Sequence, residues 1–238
     1  MNKSIFMDPV TALAWEKHAL DQIKVDGQYR LLVWEPETSV MVLPTGPRWK
    51  MPPESTKQMT SYGWQVQYRQ TGGSPVPQTP GVINLSMVYA WPKDKPLSMS
   101  GSYQLLIDLL TQWLAHYGIQ GGTGEVEGAY CNGTYNFVIK EQKLIGTAQR
   151  ISSNTNQQYF VLAHAFILFD ADILQLIKAV NHCYQSLNLT EVFDTSAMTS
   201  LTQLDPQLKG KKASLIENLE CTAHAILKAH SQQQNTQS

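Results

Sequence analysis

Two stretches of this chain carry residue types that could grip an anionic ligand. The first is Tyr68–Ser86, YRQTGGSPVPQTPGVINLS, in which Arg69 precedes the adjacent Gly72 and Gly73. A guanidinium beside open backbone N–H groups makes a cradle for a phosphate or carboxylate, and glycine lets a ligand lie close to the main chain. The same Gly-Gly next to Pro75, Pro77 and Pro80 also reads as a plain tight turn. Neither a GxGxxG opening a helix nor a Lys-Ser/Thr after the glycines is present, so the common nucleotide loops are not the pattern.

The second stretch is Lys140–Arg150, KEQKLIGTAQR. Lys143 follows a polar Glu141-Gln142 turn and precedes Leu144-Ile145, then the small residues Gly146, Thr147 and Ala148. Small side chains beside an amine leave room for a ligand, although a lysine after Glu-Gln reads equally as a solvated turn residue. Upstream, Cys131 beside Asn132-Gly133 reads on its own as an unreactive loop thiol.

Together these residues resemble the active-site signatures of the lipoate-protein ligase A family, within the superfamily of biotin and lipoate ligases and octanoyltransferases. That family shows Arg-Arg-x-x-Gly-Gly followed by a Gly-Asn turn, and later Lys-x-x-Gly-Ser/Thr-Ala-x-Arg. The matching residues are Arg69, Gly72, Gly73, Gly81 and Asn84, then Lys143, Gly146, Thr147, Ala148 and Arg150. The second run is the more specific. The Gly-Arg-Gly-Arg signature of biotin ligases is absent.

The resemblance implies an enzyme that attaches a lipoyl or octanoyl group to a lysine of a carrier domain. The leading route is an acyl-adenylate, with ATP and Mg²⁺ as co-substrates. Lys143 would then supply the cation for the acyl carbonyl and phosphate, and Arg69 would bind on the phosphate or adenine side. Ser74, Pro75, Val76 and Pro77 stand at the family's nucleotide-contacting turn, where two prolines remove two N–H donors; Gln78-Thr79 replace the family's His-Asp. Asn136 matches a position where the family often has a metal-holding Asp. His164 matches the head of a pocket strand, and it reads otherwise as a core histidine. The first alternative is an octanoyltransferase that needs no cofactor and holds the acyl group as a thioester on Cys131, taken from an acyl-carrier protein. The second is a non-catalytic lipoate- or acyl-binding protein.

Composition is compatible with this. The chain has 238 residues and net charge −1, so charge gives no case for nucleic acid or an anionic membrane surface. Three widely spaced cysteines, at 131, 183 and 221, suggest a reducing compartment rather than a disulfide framework. The near-apolar run 160–169 is far short of the ~20 residues of a membrane span. The expectation is a cytoplasmic protein with no signal peptide.

The elements that must position these residues follow from pattern. Asp8-Pro9 reads as an N-cap with proline at the first helical position, opening a helix to about Ile23. Strands are expected over 29–33 and 40–42, then one helical turn near 54–59. Further strands are expected at 65–68, 81–90, 137–139 and 159–169, with a return strand from Leu144. Helices are expected over 102–117, 172–184 and 212–229. The fold class is α/β of the α+β type: a mixed, mostly antiparallel sheet flanked by helices. The expectation is a single catalytic domain over 1–230 with a disordered tail at 231–238 and no C-terminal accessory domain.

Overall fold

A computed structural model describes residues 5–69 and 73–235. Asp8 caps the first helix, its carboxylate accepting from Thr11 N at 3.3 Å with Pro9 at the start. This helix, α1 (Pro9–Asp26), ends at Gly27, whose φ of 68° is the left-handed conformation that closes helices. Strands β1 (Ile5–Met7), β2 (Arg30–Pro36), β3 (Val40–Pro44), β4 (Gln65–Arg69), β5 (Val76–Gln78) and β6 (Val82–Ala90) fill the first half, with helix α2 (Pro53–Ser61) between β3 and β4. Helix α3 (Met99–Ala115) leads to β7 (Gly122–Thr123), β8 (Phe137–Ile139), β9 (Gln142–Ser153) and β10 (Tyr159–Leu168). Helices α4 (Ile173–Ser186), α5 (Leu201–Leu204) and α6 (Lys212–Asn235) follow.

The main sheet has seven strands in the order β1-β2-β6-β10-β9-β8-β7. Only β1 and β2 pair in parallel there, so the sheet is mostly antiparallel, as expected. A smaller sheet, β4-β3-β5, stands apart from it.

Strand alternation divides the labour of the two faces. On one face Ile83, Leu85, Met87 and Tyr89 of β6 and Val161, Ala163, Ala165 and Ile167 of β10 join α3 and α6 in the largest apolar core. The opposite face carries Asn84 and Ser86 of β6 with His164 and Phe166 of β10, which pair across as His164↔Ser86 and Phe166↔Asn84. Buried polar groups require partners, so this second face cannot simply close on an apolar layer. Part of α1 covers it, Ala19, Leu20 and Ile23 packing on Val88, Phe160 and Leu162.

Three details differ from the sequence reading. The proline-rich turn contains strand β5, and Pro77 is tolerated because β5 is an edge paired only to β3. The turn before Lys143 is formed by Lys140 and Glu141, with φ of 48° and 64°, so Gln142 already belongs to β9. Helix α6 continues through 231–235, where a disordered tail is expected; Ser231 Oγ bonds back to Leu227 O at 2.9 Å, and the glutamines there are good helix formers.

Candidate active site

A cavity of ≈ 380 Å³ opens on the polar face of the main sheet. Ligand pockets run from about 300 to 1,000 Å³, so the space suits one small ligand. Its floor is a pair of cross-strand rows, Trp34–Asn84–Phe166–Gly146 and Ser86–His164–Ala148.

Lys143 reaches this floor through a β-bulge. Val138 faces Lys143, but Phe137 faces Ile145, so β9 holds one extra residue at Leu144. An extra residue reverses the alternation beyond it. Leu144 and Ile145 therefore both enter the apolar core, while Lys143 and Gly146 share the cavity side. A Cβ on Gly146 would lie 3.3 Å from both Cε and Nζ of Lys143, so the glycine leaves the space the amine occupies.

The lysine is 1% exposed. Its Nζ donates to Tyr130 O at 2.7 Å and Cys131 O at 2.9 Å, and sits 5.2 Å from the centre of the Tyr130 ring. Burial lowers its pKa from 10.5 to about 8, and the nearby Cys131 opposes part of that fall. The amine thus stays mostly charged at neutral pH but gives up its proton more easily than a surface lysine.

Cys131 lines the same wall, with a φ of 48° that is uncommon outside glycine. The loop around it is braced. Asn132 Oδ1 accepts from Val126 N and Gly133 N, and Asn136 Nδ2 donates to Cys131 O at 3.0 Å. Asn136 Oδ1 in turn accepts from Thr147 N, and Thr147 Oγ1 donates to Tyr135 O.

On the opposite wall Arg69 ends β4. Its guanidinium donates to Val42 O at 3.1 Å and Ser74 O at 2.8 Å. Gly73, at φ 106°, lies so close that a Cβ would stand 3.1 Å from the guanidinium. Gln78 and Asn84 exchange amide hydrogen bonds of 2.9 and 3.0 Å. Deeper in, Glu16 is 5% exposed and accepts on Oε1 from Ser86 Oγ at 2.6 Å, with His164 Nδ1 at 3.0 Å from the same oxygen. Burial would raise its pKa, but His164, the Ser86 hydroxyl and Arg69 outweigh burial and hold it below the usual carboxylate value.

The residues singled out in the sequence largely meet. Arg69, Gly73, Val76, Asn84, Cys131, Lys143, Gly146, Thr147, Ala148 and His164 all line the cavity. Gly72 lies outside the described residues. Ser74, Pro75, Pro77 and Asn136 are not on the wall, and Ser74 contributes only its carbonyl to Arg69. Sequence reasoning missed Glu16, Trp34, Gln78, Ser86 and Tyr103. The signal available for Glu16 was a charged residue inside the apolar stripe of α1.

A magnesium ion requires hard, preferably anionic oxygen donors. Asn136 Oδ1 is taken by Thr147 N and Glu16 Oε1 by Ser86 and His164. Among the described residues no group of three His, Cys, Asp or Glu could hold a metal. Neither Asn136, behind the wall, nor Glu16, on it, fits a magnesium site.

The family profile described as "Lipoyl protein ligase A/B catalytic domain" matches residues 8–219. The chain belongs to this family. Its members are enzymes, so this lipoyl protein ligase A/B domain carries an enzyme scaffold. By sequence it is 26% identical over 196 residues to an uncharacterized protein of Cupriavidus necator, covering 78% of each chain. It is 28% identical over 145 residues to an octanoyl-[GcvH]:protein N-octanoyltransferase of Kyrpidia tusciae, spanning 58% of this chain and 49% of that one. The corresponding Geobacillus kaustophilus enzyme is 33% identical over 88 residues, 37% of this chain and 31% of that one. The match therefore spans half or less of these two transferases. In backbone the fold is similar to a lipoate-protein ligase A bound with ATP, with TM-score 0.68 at 16% identity, covering 94% of this chain and 86% of that one. It is also similar to an archaeal bi-partite lipoate protein ligase from Thermoplasma acidophilum, with TM-score 0.57 at 13% identity, covering 95% and 92%. No helix among the described residues is long and apolar enough to cross a membrane.

Proposed function

We propose that this chain transfers an octanoyl or lipoyl group between carrier proteins through a thioester on Cys131. The observation that carries the reading is the shared wall of Cys131 and Lys143, the buried amine bonding directly to the cysteine's own carbonyl. Relatives named as octanoyltransferases support it, and so does the poor fit of magnesium to Asn136 and Glu16.

In the first half-reaction the Cys131 thiolate attacks the acyl carbonyl of the donor. A C–S bond forms and the carbonyl π electrons move to oxygen. The Lys143 ammonium stabilises that oxyanion, as a fixed cation in a dry site can. Collapse expels the donor's thiol or amine, which takes up a proton, and leaves acyl-Cys131. In the second half the neutral amine of the acceptor lysine attacks the thioester. The C–N bond forms, the C–S bond breaks, the thiolate returns, and the amine's extra proton is released. Lys143, able to share its proton near pH 8, is suited to both halves. Phe166, Val76 and Leu13 offer apolar contact to the acyl tail. The partners are then a lipoyl-carrier domain and a second carrier, the setting is the cytoplasm, and one catalytic domain suffices.

An ATP-dependent ligase is the second reading, favoured by the backbone likeness to an ATP-bound ligase. Acyl transfer from an octanoylated carrier should proceed without ATP and be lost in Cys131→Ser. Transfer from free octanoate or lipoate that requires ATP and survives Cys131→Ser would replace the transferase reading with the ligase. Lipoate binding without either turnover would leave only an acyl-binding protein.

A further inference from the structure

We infer that Asn136 is a positioning residue for Cys131, and that the position requires an amide rather than a carboxylate. The inference rests on the thioester reading above.

Asn136 is 2% exposed and is absent from the cavity wall, so it is not built to touch substrate. Both ends of its amide are used. Oδ1 accepts from Thr147 N, inside the Gly146-Thr147-Ala148 segment of β9, and Nδ2 donates to Cys131 O, each at 3.0 Å. The same Cys131 oxygen accepts from Lys143 Nζ at 2.9 Å. One carbonyl is thus held by two donors, one from the loop and one from β9. The residue bearing it is kept at φ 48°, a conformation that non-glycine residues adopt only when their surroundings fix it. A carboxylate could still accept from Thr147 N, but it would have no proton for Cys131 O. It would set an anion against that carbonyl, beside both the thiol and the amine. The charged and titratable groups facing Cys131 are the Lys143 amine, the Arg69 guanidinium and the phenols of Tyr103, Tyr130 and Tyr184.

The test uses the full chain with Asn136→Asp and Asn136→Ala. Alkylation of Cys131 by iodoacetamide is followed across pH by peptide mass spectrometry, alongside transfer kinetics and the thermal midpoint. Asn136→Asp is expected to remain folded, shift the Cys131 alkylation profile to higher pH, and lower kcat by roughly 10- to 100-fold, the cost of small misplacement of a reacting group, with KM for the carrier within about twofold. Asn136→Ala should lose activity together with thermal stability. An unchanged alkylation profile and kcat in Asn136→Asp would overturn the inference. So would a profile that stays put while activity falls only in step with unfolding. Cys131→Ser keeps the two ideas separate: full transfer by that variant ends the thioester reading, whereas a shifted alkylation profile in Asn136→Asp is read independently of turnover.

Discussion

Gly146→Ala separates catalysis from folding. The added methyl would stand 3.3 Å from Cε and Nζ of Lys143, a distance at which the neighbour must give by a few tenths of an ångström. Its other contact, Phe166 Cβ at 3.8 Å, is ordinary packing, so the sheet has no reason to open. The lysine has little freedom to yield, because its amine is fixed by Tyr130 O at 2.7 Å and Cys131 O at 2.9 Å. Moving it would strain or break one of these charge-assisted bonds, each contributing about 1.5–3 kcal/mol. If the position of the amine governs the barrier, transfer slows by roughly 10- to 100-fold, at 1.36 kcal/mol per factor of ten. Stability should fall by no more than one such bond, since replacing glycine by alanine in an unstrained backbone offsets about 0.4–1 kcal/mol of the loss through the unfolded chain. The assay is kcat/KM for acyl transfer with thermal unfolding measured on the same preparation. Full activity in Gly146→Ala would refute the claim that this glycine exists to seat the amine. Loss of activity together with loss of folding would refute the local account of its contacts.

Other perturbations have equally definite outcomes. With the Lys143 pKa near 8 in the fold and 10.5 as the ordinary value, the unfolded chain holds the extra proton between those limits, so stability from this group rises with pH across that window. Lys143→Met should lack that rise, and urea unfolding of the two proteins should diverge by up to about 3 kcal/mol between pH 8 and 10.5. Glu16→Gln should lower stability at pH 7 by about 1–3 kcal/mol, because His164 and Ser86 lose a charged acceptor. The folded pKa of Glu16 lies below 4.5, so its contribution is complete above that value and fades as pH falls through the lower one; the gap should close in acid. Gly81→Ala places a Cβ 2.6 Å from Asp170 O at a φ of 94°, and a loss of about 2–4 kcal/mol in chemical unfolding is expected.

Much of the site was readable because its residues are grouped along the chain. Lys143, Gly146, Thr147 and Ala148 come from one strand, and Arg69 and Gly73 flank one loop, so local type and spacing carried the message. The capped start of α1 and the alternating strands were legible for the same reason. What escaped depends on pairing between distant segments. The bulge at Leu144 is a property of β8 against β9, visible only once their register is known. Glu16 meets Ser86 and His164 across 70 and 148 residues, and nothing near it in sequence announces either partner. Asn136 matched a position where the family often has a metal-holding Asp; that both ends of its amide are taken by Cys131 O and Thr147 N appears only in the fold. Strand β5 was hidden by Pro77 within it and the prolines flanking it, which argue against a strand until its edge position is known.

The most direct measurement is to mix the chain with an octanoylated carrier domain in the absence of ATP, quench in acid, and map the modified residue by peptide mass spectrometry. The account predicts one octanoyl group on Cys131, released by hydroxylamine and chased onto the lysine of an added acceptor domain. Transfer to the acceptor with Cys131 unmodified throughout, or an acyl group that appears only when ATP is supplied, would contradict it.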